Sequence, residues 1–143
     1  MSVKELTLEA KVGNLDRVLA FLDQRLEELE CSMKAKMQIE LALEEIFVNV
    51  SSYAYSRGGE QEEKTGMVSI SVEDTEDPRS VAVTITDRGV PFDPLAQEEP
   101  DITLPAEERK VGGLGIFMVR KSMDHIRYEF KDGQNILTFR KDL

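Results

Sequence analysis

Residues 81–119 read VAVTITDRGVPFDPLAQEEPDITLPAEERKVGGLGIFMV, and the fold turns on how this stretch divides. Val81, Val83 and Ile85 alternate with Ala82 and Thr84, the two-residue period of a half-buried strand. Asp87-Arg88-Gly89 follows where that strand opens into a loop. Beyond Pro91 the periodicity fails: Pro94, Pro100 and Pro105 stand among Glu98, Glu99, Glu107 and Glu108 with few large apolar residues, as expected of a long mobile lid or an acidic linker. Gly112-Gly113-Leu114-Gly115 closes the stretch, and Ile116, Val119 and Met123 then recur at helical spacing.

Outward from it, Val68, Ile70 and Val72 alternate in the same way, so the two runs form a predicted hairpin across a turn at 74–79. Upstream lie two predicted helices. Leu15, Val18, Leu19, Leu22, Leu26 and Leu29 line one face of the first, with Asn14 as its N-cap and an end near Glu30. Ile39, Ala42, Leu43, Ile46, Phe47 and Val50 line the second, over 33–55. Residues 3–11 read as an edge strand, 57–66 as a polar loop, and 126–130 with 136–139 as strands around Lys131-Asp132-Gly133-Gln134. The order is β, α, α, β, β, loop, α, β, β, without an internal repeat, and the expectation is one domain over 1–143.

Composition narrows the function classes. Of 143 residues, 41% are hydrophobic and 32% charged, which suits a packed globular core. The net charge of −10 disfavours a nucleic-acid backbone or an anionic membrane as partner. Cys31 and His125 each stand alone, which excludes an intrachain disulfide and a cysteine- or histidine-built metal centre, and His125 reads as an ordinary strand-end residue. The N-terminus has no apolar run and no stretch is long enough to span a bilayer, so a cytoplasmic location is expected.

Three features carry chemistry. Glu45 and Asn49 lie one turn apart at the border of the second helix's apolar face, where an amide oxygen suits magnesium and a carboxylate suits a proton or a water. Asp87 at a strand end is placed to accept from the exocyclic amine of a purine, and Gly89 lets backbone approach a flat ring; Asp and Gly are equally favoured in plain turns. Glycines before a helix expose N–H groups that hold phosphate oxygens, with Arg109 and Lys110 adding positive charge just upstream. Neither a Walker motif nor Gly-x-Gly-x-x-Gly is present.

In this order the features resemble the GHKL nucleotide-binding superfamily of gyrase, histidine kinases and mismatch-repair ATPases. Glu44-Glu45-Ile46-Phe47-Val48-Asn49, Asp87-Arg88-Gly89-Val90-Pro91-Phe92-Asp93 and Gly113-Leu114-Gly115-Ile116-Phe117-Met118-Val119 are most similar to the bacterial anti-sigma factor serine/threonine kinases. The resemblance implies an α+β fold, a two-layer sandwich of the Bergerat type whose mixed, mostly antiparallel sheet is covered on one face by helices. It implies ATP and Mg2+ as cofactors, with Glu45 as general base, Asn49 as magnesium ligand, Asp87 as adenine-binding carboxylate, and Gly113 and Gly115 at the phosphates. Gly89 stands beside the adenine, and Arg109 or Lys110 near the terminal phosphate. Tyr53 and Asn135 occupy positions where the family often has a histidine and a threonine.

The activity implied is phosphorylation of a serine on an anti-sigma factor antagonist of the STAS type. The implied partners are that antagonist, a sigma factor and a second copy of the chain. A non-catalytic nucleotide-gated binding module, and a nucleotide-free interaction domain, are the alternatives.

Overall fold

The computed structural model describes residues 3–53, 66–76, 79–96 and 113–143. Among the described residues five strands and three α-helices follow the predicted order: β1 (Val3–Glu9), α1 (Leu15–Glu28), α2 (Met33–Tyr53), β2 (Met67–Thr75), β3 (Ser80–Asp87), α3 (Gly113–Ser122), β4 (His125–Lys131) and β5 (Gln134–Asp142). The strands form one sheet in the order β1-β2-β3-β5-β4. Each neighbouring pair is antiparallel, so the sheet expected to be mixed and mostly antiparallel is antiparallel in every described pair.

The helices cover one face. Alternation sends Val68, Ile70 and Val72 of β2, Val81, Val83 and Ile85 of β3, and Leu137 and Phe139 of β5 into the core. Val18, Leu22 and Leu26 of α1 and Ile39, Leu43, Ile46 and Phe47 of α2 meet them. The opposite face carries hydroxyls, with Thr7 bonded to Ser69 at 2.9 Å and Thr84 to Thr138 at 3.1 Å. Arg25, buried on α1, pairs with Asp74 of β2 at 3.3 Å and ties helix layer to sheet.

Local chemistry sets the ends. Ser32 caps α2, its Oγ accepting the Ala35 N–H at 3.1 Å. Asn14 precedes α1 as predicted, but its side chain does not cap; a 3-10 turn over Val12–Asn14 redirects it, and its Nδ2 donates to Glu9 O at 2.9 Å. Asp132 and Gly133 both take positive φ (55° and 76°), the two-residue hairpin geometry that carries β4 into β5, with Lys131 opposite Gln134. α3 starts at Gly113, so Gly113 and Gly115 lie inside its first turn and not ahead of the helix. A first turn tolerates glycine because its N–H groups have no intrahelical partner to lose. His125 is the first residue of β4 and exposed. No helix among the described residues is long and apolar enough to cross a membrane.

Phe47 is fully buried and lies between Glu45 and Asn49 in sequence, so its packing fixes the rotation of α2 that carries those two side chains along the border of the helix. Phe47→Ala is expected to cost about 3–5 kcal/mol of stability, read from urea unfolding, and Phe47→Leu clearly less.

Candidate functional site

The inward rows of β3 and β5 change character at one end of the sheet. Ile85 is followed on the same face by Asp87, and Leu137 is preceded by Asn135. Asp87 and Asn135 are register partners, so two apolar rows terminate in a facing polar pair, 4% and 5% exposed. Such burial is tolerable only with hydrogen bonds. Asp87 Oδ1 accepts from the Gly89 N–H at 2.8 Å and from Asn135 Nδ2 at 2.9 Å.

Burial is the main influence on Asp87 and pushes its carboxyl above the ordinary 3.8, while the bonds from Asn135 and Gly89 act the other way. Burial makes a carboxylate so placed resist ionisation, and hydrogen-bond donors, from the protein or from a ligand, favour its charged form.

A small pocket opens beside this pair. Its walls are Ile46 and Val50 of α2, Ile85, Leu137, Phe92 and Pro94, with Tyr128 of β4 and the polar Asn49, Asp87 and Asn135. Apolar walls with one carboxylate suit an apolar ring bearing an amine. The pocket's volume of about 20 Å³ holds one water and not a purine, so a purine can enter only if a wall other than that of Phe92 and Pro94 gives way.

One turn back on α2 the surroundings change. Glu45 and Asn49 are joined by a bond from Asn49 Nδ2 to Glu45 Oε2 at 3.5 Å, but they face different spaces. Asn49 lines the small pocket, whereas Glu45 lines a groove of about 650 Å³ between α2 and α3, with Leu41, Glu44, Met118 and Ser122. Gly115 closes against Glu45 so tightly that a Cβ there would fall on the carboxylate, far inside van der Waals contact. That absence of a side chain is what brings the first turn of α3 to the Glu45 carboxylate. Burial raises the Glu45 pKa from its ordinary 4.5; Asn49 opposes the shift and the Glu44 charge adds to it.

Of the residues singled out in the sequence, Glu45, Asn49, Asp87, Gly115 and Asn135 therefore line two adjoining spaces, with Gly89 bonded to Asp87 and Gly113 opening α3. Arg109 and Lys110, with most of the predicted lid, lie outside the described residues, as does the side chain of Tyr53. The sequence reading missed Tyr128, Phe92 and Pro94 as pocket walls. The signal for Tyr128 was its alternation with Ile126, which puts it on the helix-covered face of β4.

Among the described residues no group of three or more histidine, cysteine, aspartate or glutamate side chains is placed to hold a metal. Magnesium nonetheless fits Asn49. With Nδ2 turned to Glu45, its Oδ1 remains for a hard cation that draws its other ligands from phosphates and water.

The profile of the histidine kinase-like ATPase domain matches residues 8–141. The serine/threonine-protein kinase BtrW of Bordetella bronchiseptica is 26% identical over 107 residues, 75% of this chain and 70% of that one. The anti-sigma F factor of Pasteuria penetrans is 31% identical over 119 residues, 81% and 69% of the two chains. In fold, the chain is similar to the crystal structure of the RsbU and RsbW domains of a Mycobacterium tuberculosis protein, with TM-score 0.67 at 17% identity. All of this chain and 33% of that longer one are covered.

Because the folded-state pKa of Asp87 is raised, its contribution stabilises the fold below the ordinary 3.8 and is lost as pH rises through the folded value. Asp87→Asn is therefore expected to unfold no earlier than the natural protein in urea at pH 7, and the natural protein is expected to gain on the variant as pH falls toward 4.

Proposed function

Since the chain belongs to the histidine kinase-like ATPase domain family, in its anti-sigma-factor-kinase-like branch of the GHKL superfamily, we propose that it is an ATP- and Mg2+-dependent protein serine/threonine kinase. Its substrate is an anti-sigma factor antagonist of the STAS type; while that antagonist is phosphorylated the kinase sequesters a partner such as a sigma factor, which the unmodified antagonist frees. The observation that carries the catalytic part of this reading is Glu45, a half-buried carboxylate with a raised pKa held one turn from Asn49 and against Gly115.

In this reading the purine enters between α2 and the sheet, its exocyclic amine donating to Asp87 while Ile46, Val50 and Phe92 cover the ring. The triphosphate runs past Asn49 toward the N-terminus of α3, whose first-turn N–H groups and positive dipole end favour phosphate oxygens. Asn49 Oδ1 would hold magnesium, which would supply positive charge against that developing on the phosphates. Arg109 or Lys110 supplies further positive charge at the terminal phosphate. The acceptor serine approaches along the α2–α3 groove. Its Oγ bonds to the γ-phosphorus as the bond to the β–γ bridging oxygen breaks; Glu45 takes the hydroxyl proton and ADP leaves.

A raised pKa suits Glu45 to that task, because a base works best when its pKa approaches the working pH. In this reading the chain has a partner-switching role in the cytoplasm with a homodimer as the working unit; similarity to an anti-sigma F factor supports the partner-switching part.

Transfer of labelled γ-phosphate to the cognate antagonist is the decisive assay. Glu45→Gln is expected to lower turnover by roughly 100-fold or more while the Kd for Mg-ATP changes less than about threefold. The acid limb of the pH–rate profile is expected above 4.5, and to vanish in that variant. Gly115→Ala, which drives the Glu45 carboxylate aside at little cost to the fold because only the end of a flexible side chain must move, is expected to lose turnover with an unchanged melting temperature. Tight Mg-ATP and antagonist binding without any transfer by the natural protein would replace the kinase with a nucleotide-gated binding module.

A further inference from the structure

Asn135 lies on the pocket wall beside Asp87, where a ligand contact would be expected of it, yet its amide is fully committed to the protein. A side-chain amide has two donor hydrogens and two acceptor lone pairs. Nδ2 donates to Asp87 Oδ1 and to Val90 O, both at 2.9 Å, with Gly89 O also at 3.4 Å. Oδ1 accepts from the Phe92 N–H at 3.1 Å and from the Tyr128 hydroxyl. The opposite amide orientation is excluded by the same partners, since it would set an oxygen against three acceptors and an NH2 group against a backbone donor.

We propose that Asn135, anchored by the Tyr128 hydroxyl, is a positioning residue that gives Asp87 its selectivity for a 6-aminopurine and does not touch the ligand itself. Two consequences of the geometry lead there. Both hydrogen bonds to the Asp87 carboxylate, from Gly89 and Asn135, fall on Oδ1, which orients the carboxylate plane and leaves Oδ2 as the acceptor for an incoming amine. The same amide also pins the turn after β3 at Val90 O and at the Phe92 N–H, so the wall formed by Phe92 and Pro94 keeps its place relative to that acceptor. β5 thus sets both the direction of the hydrogen bond and the distance of the ring that must receive it. The inference rests on the nucleotide reading above.

The test compares Mg-complexes of ATP and inosine triphosphate, whose base carries a carbonyl where adenine carries its amine. Dissociation constants are measured for the natural protein, Asn135→Leu and Tyr128→Phe. Asn135→Leu removes the amide at similar volume; Tyr128→Phe removes one hydroxyl and keeps the ring, so it decides the matter if the first variant does not fold.

The natural protein is expected to prefer ATP by roughly tenfold or more, as a site built around a buried hydrogen bond does. In Asn135→Leu that ratio is expected to fall toward one, through weaker ATP binding, with inosine triphosphate changed by less than about threefold. Tyr128→Phe is expected to shift the ratio in the same direction by a smaller factor. An unchanged ratio in the folded variants, or an equal loss of both nucleotides, overturns the positioning role while leaving the nucleotide reading intact. Failure of the natural protein to bind ATP at all overturns that reading and this inference with it.

Discussion

The structure depends on how one carboxylate is kept inside a sheet face that is otherwise apolar. Asp87 ends the inward row Val81, Val83, Ile85, and its burial costs solvation that Gly89 and Asn135 partly return through hydrogen bonds. Those bonds require β3 and β5 to be neighbours in a register that sets residue 87 opposite residue 135. They also require the turn after β3 to fold back so that the Gly89 N–H reaches its own strand end. The polar pair and the topology thus support each other: a sheet slipped by one residue would send both side chains to the hydroxyl-bearing open face.

The division of labour along α2 follows from its packing. Ile39, Leu43, Ile46 and Phe47 bury one stripe against the sheet, and helical geometry leaves Glu45 and Asn49 at its edge. One residue lines the slot by Asp87 and the other the groove by Gly115, though a single hydrogen bond joins them. A nucleotide that reaches from one space to the other would pass across this pair. On the proposed reading, base recognition and phosphate chemistry are separated by one turn of helix; the glycine at residue 115 allows α3 to close on the acid side chain.

Much of this was legible in the sequence because, among the described residues, the helices cover one face of the sheet. Alternation in 68–72 and 81–85 reports that directly, and helical spacing correctly set Glu45 and Asn49 at the stripe's margin. What escaped depends on long-range pairing. The partners of Asn135 lie 48 residues away at Asp87 and 43 away at Phe92, and no local pattern shows that its amide is saturated. Tyr128 enters the pocket only once β4 is known to pair with β5. Two details differ for local reasons: a 3-10 turn leaves the Asn14 side chain without its capping bond, and α3 begins at Gly113, three residues before Ile116, where the helical spacing of apolar residues starts.

The claim at the centre of the account is that Asp87 and its amide partner form a nucleotide-base site. Heteronuclear NMR during titration with Mg-ATP tests it most directly. The account expects saturable shifts of the Gly89 and Phe92 backbone amides and of the Asn135 side-chain amide, together with methyl shifts at Ile46, Val50 and Leu137. Saturation of the protein with Mg-ATP while those signals stay in place, or the absence of any saturable shift across the protein, would contradict it.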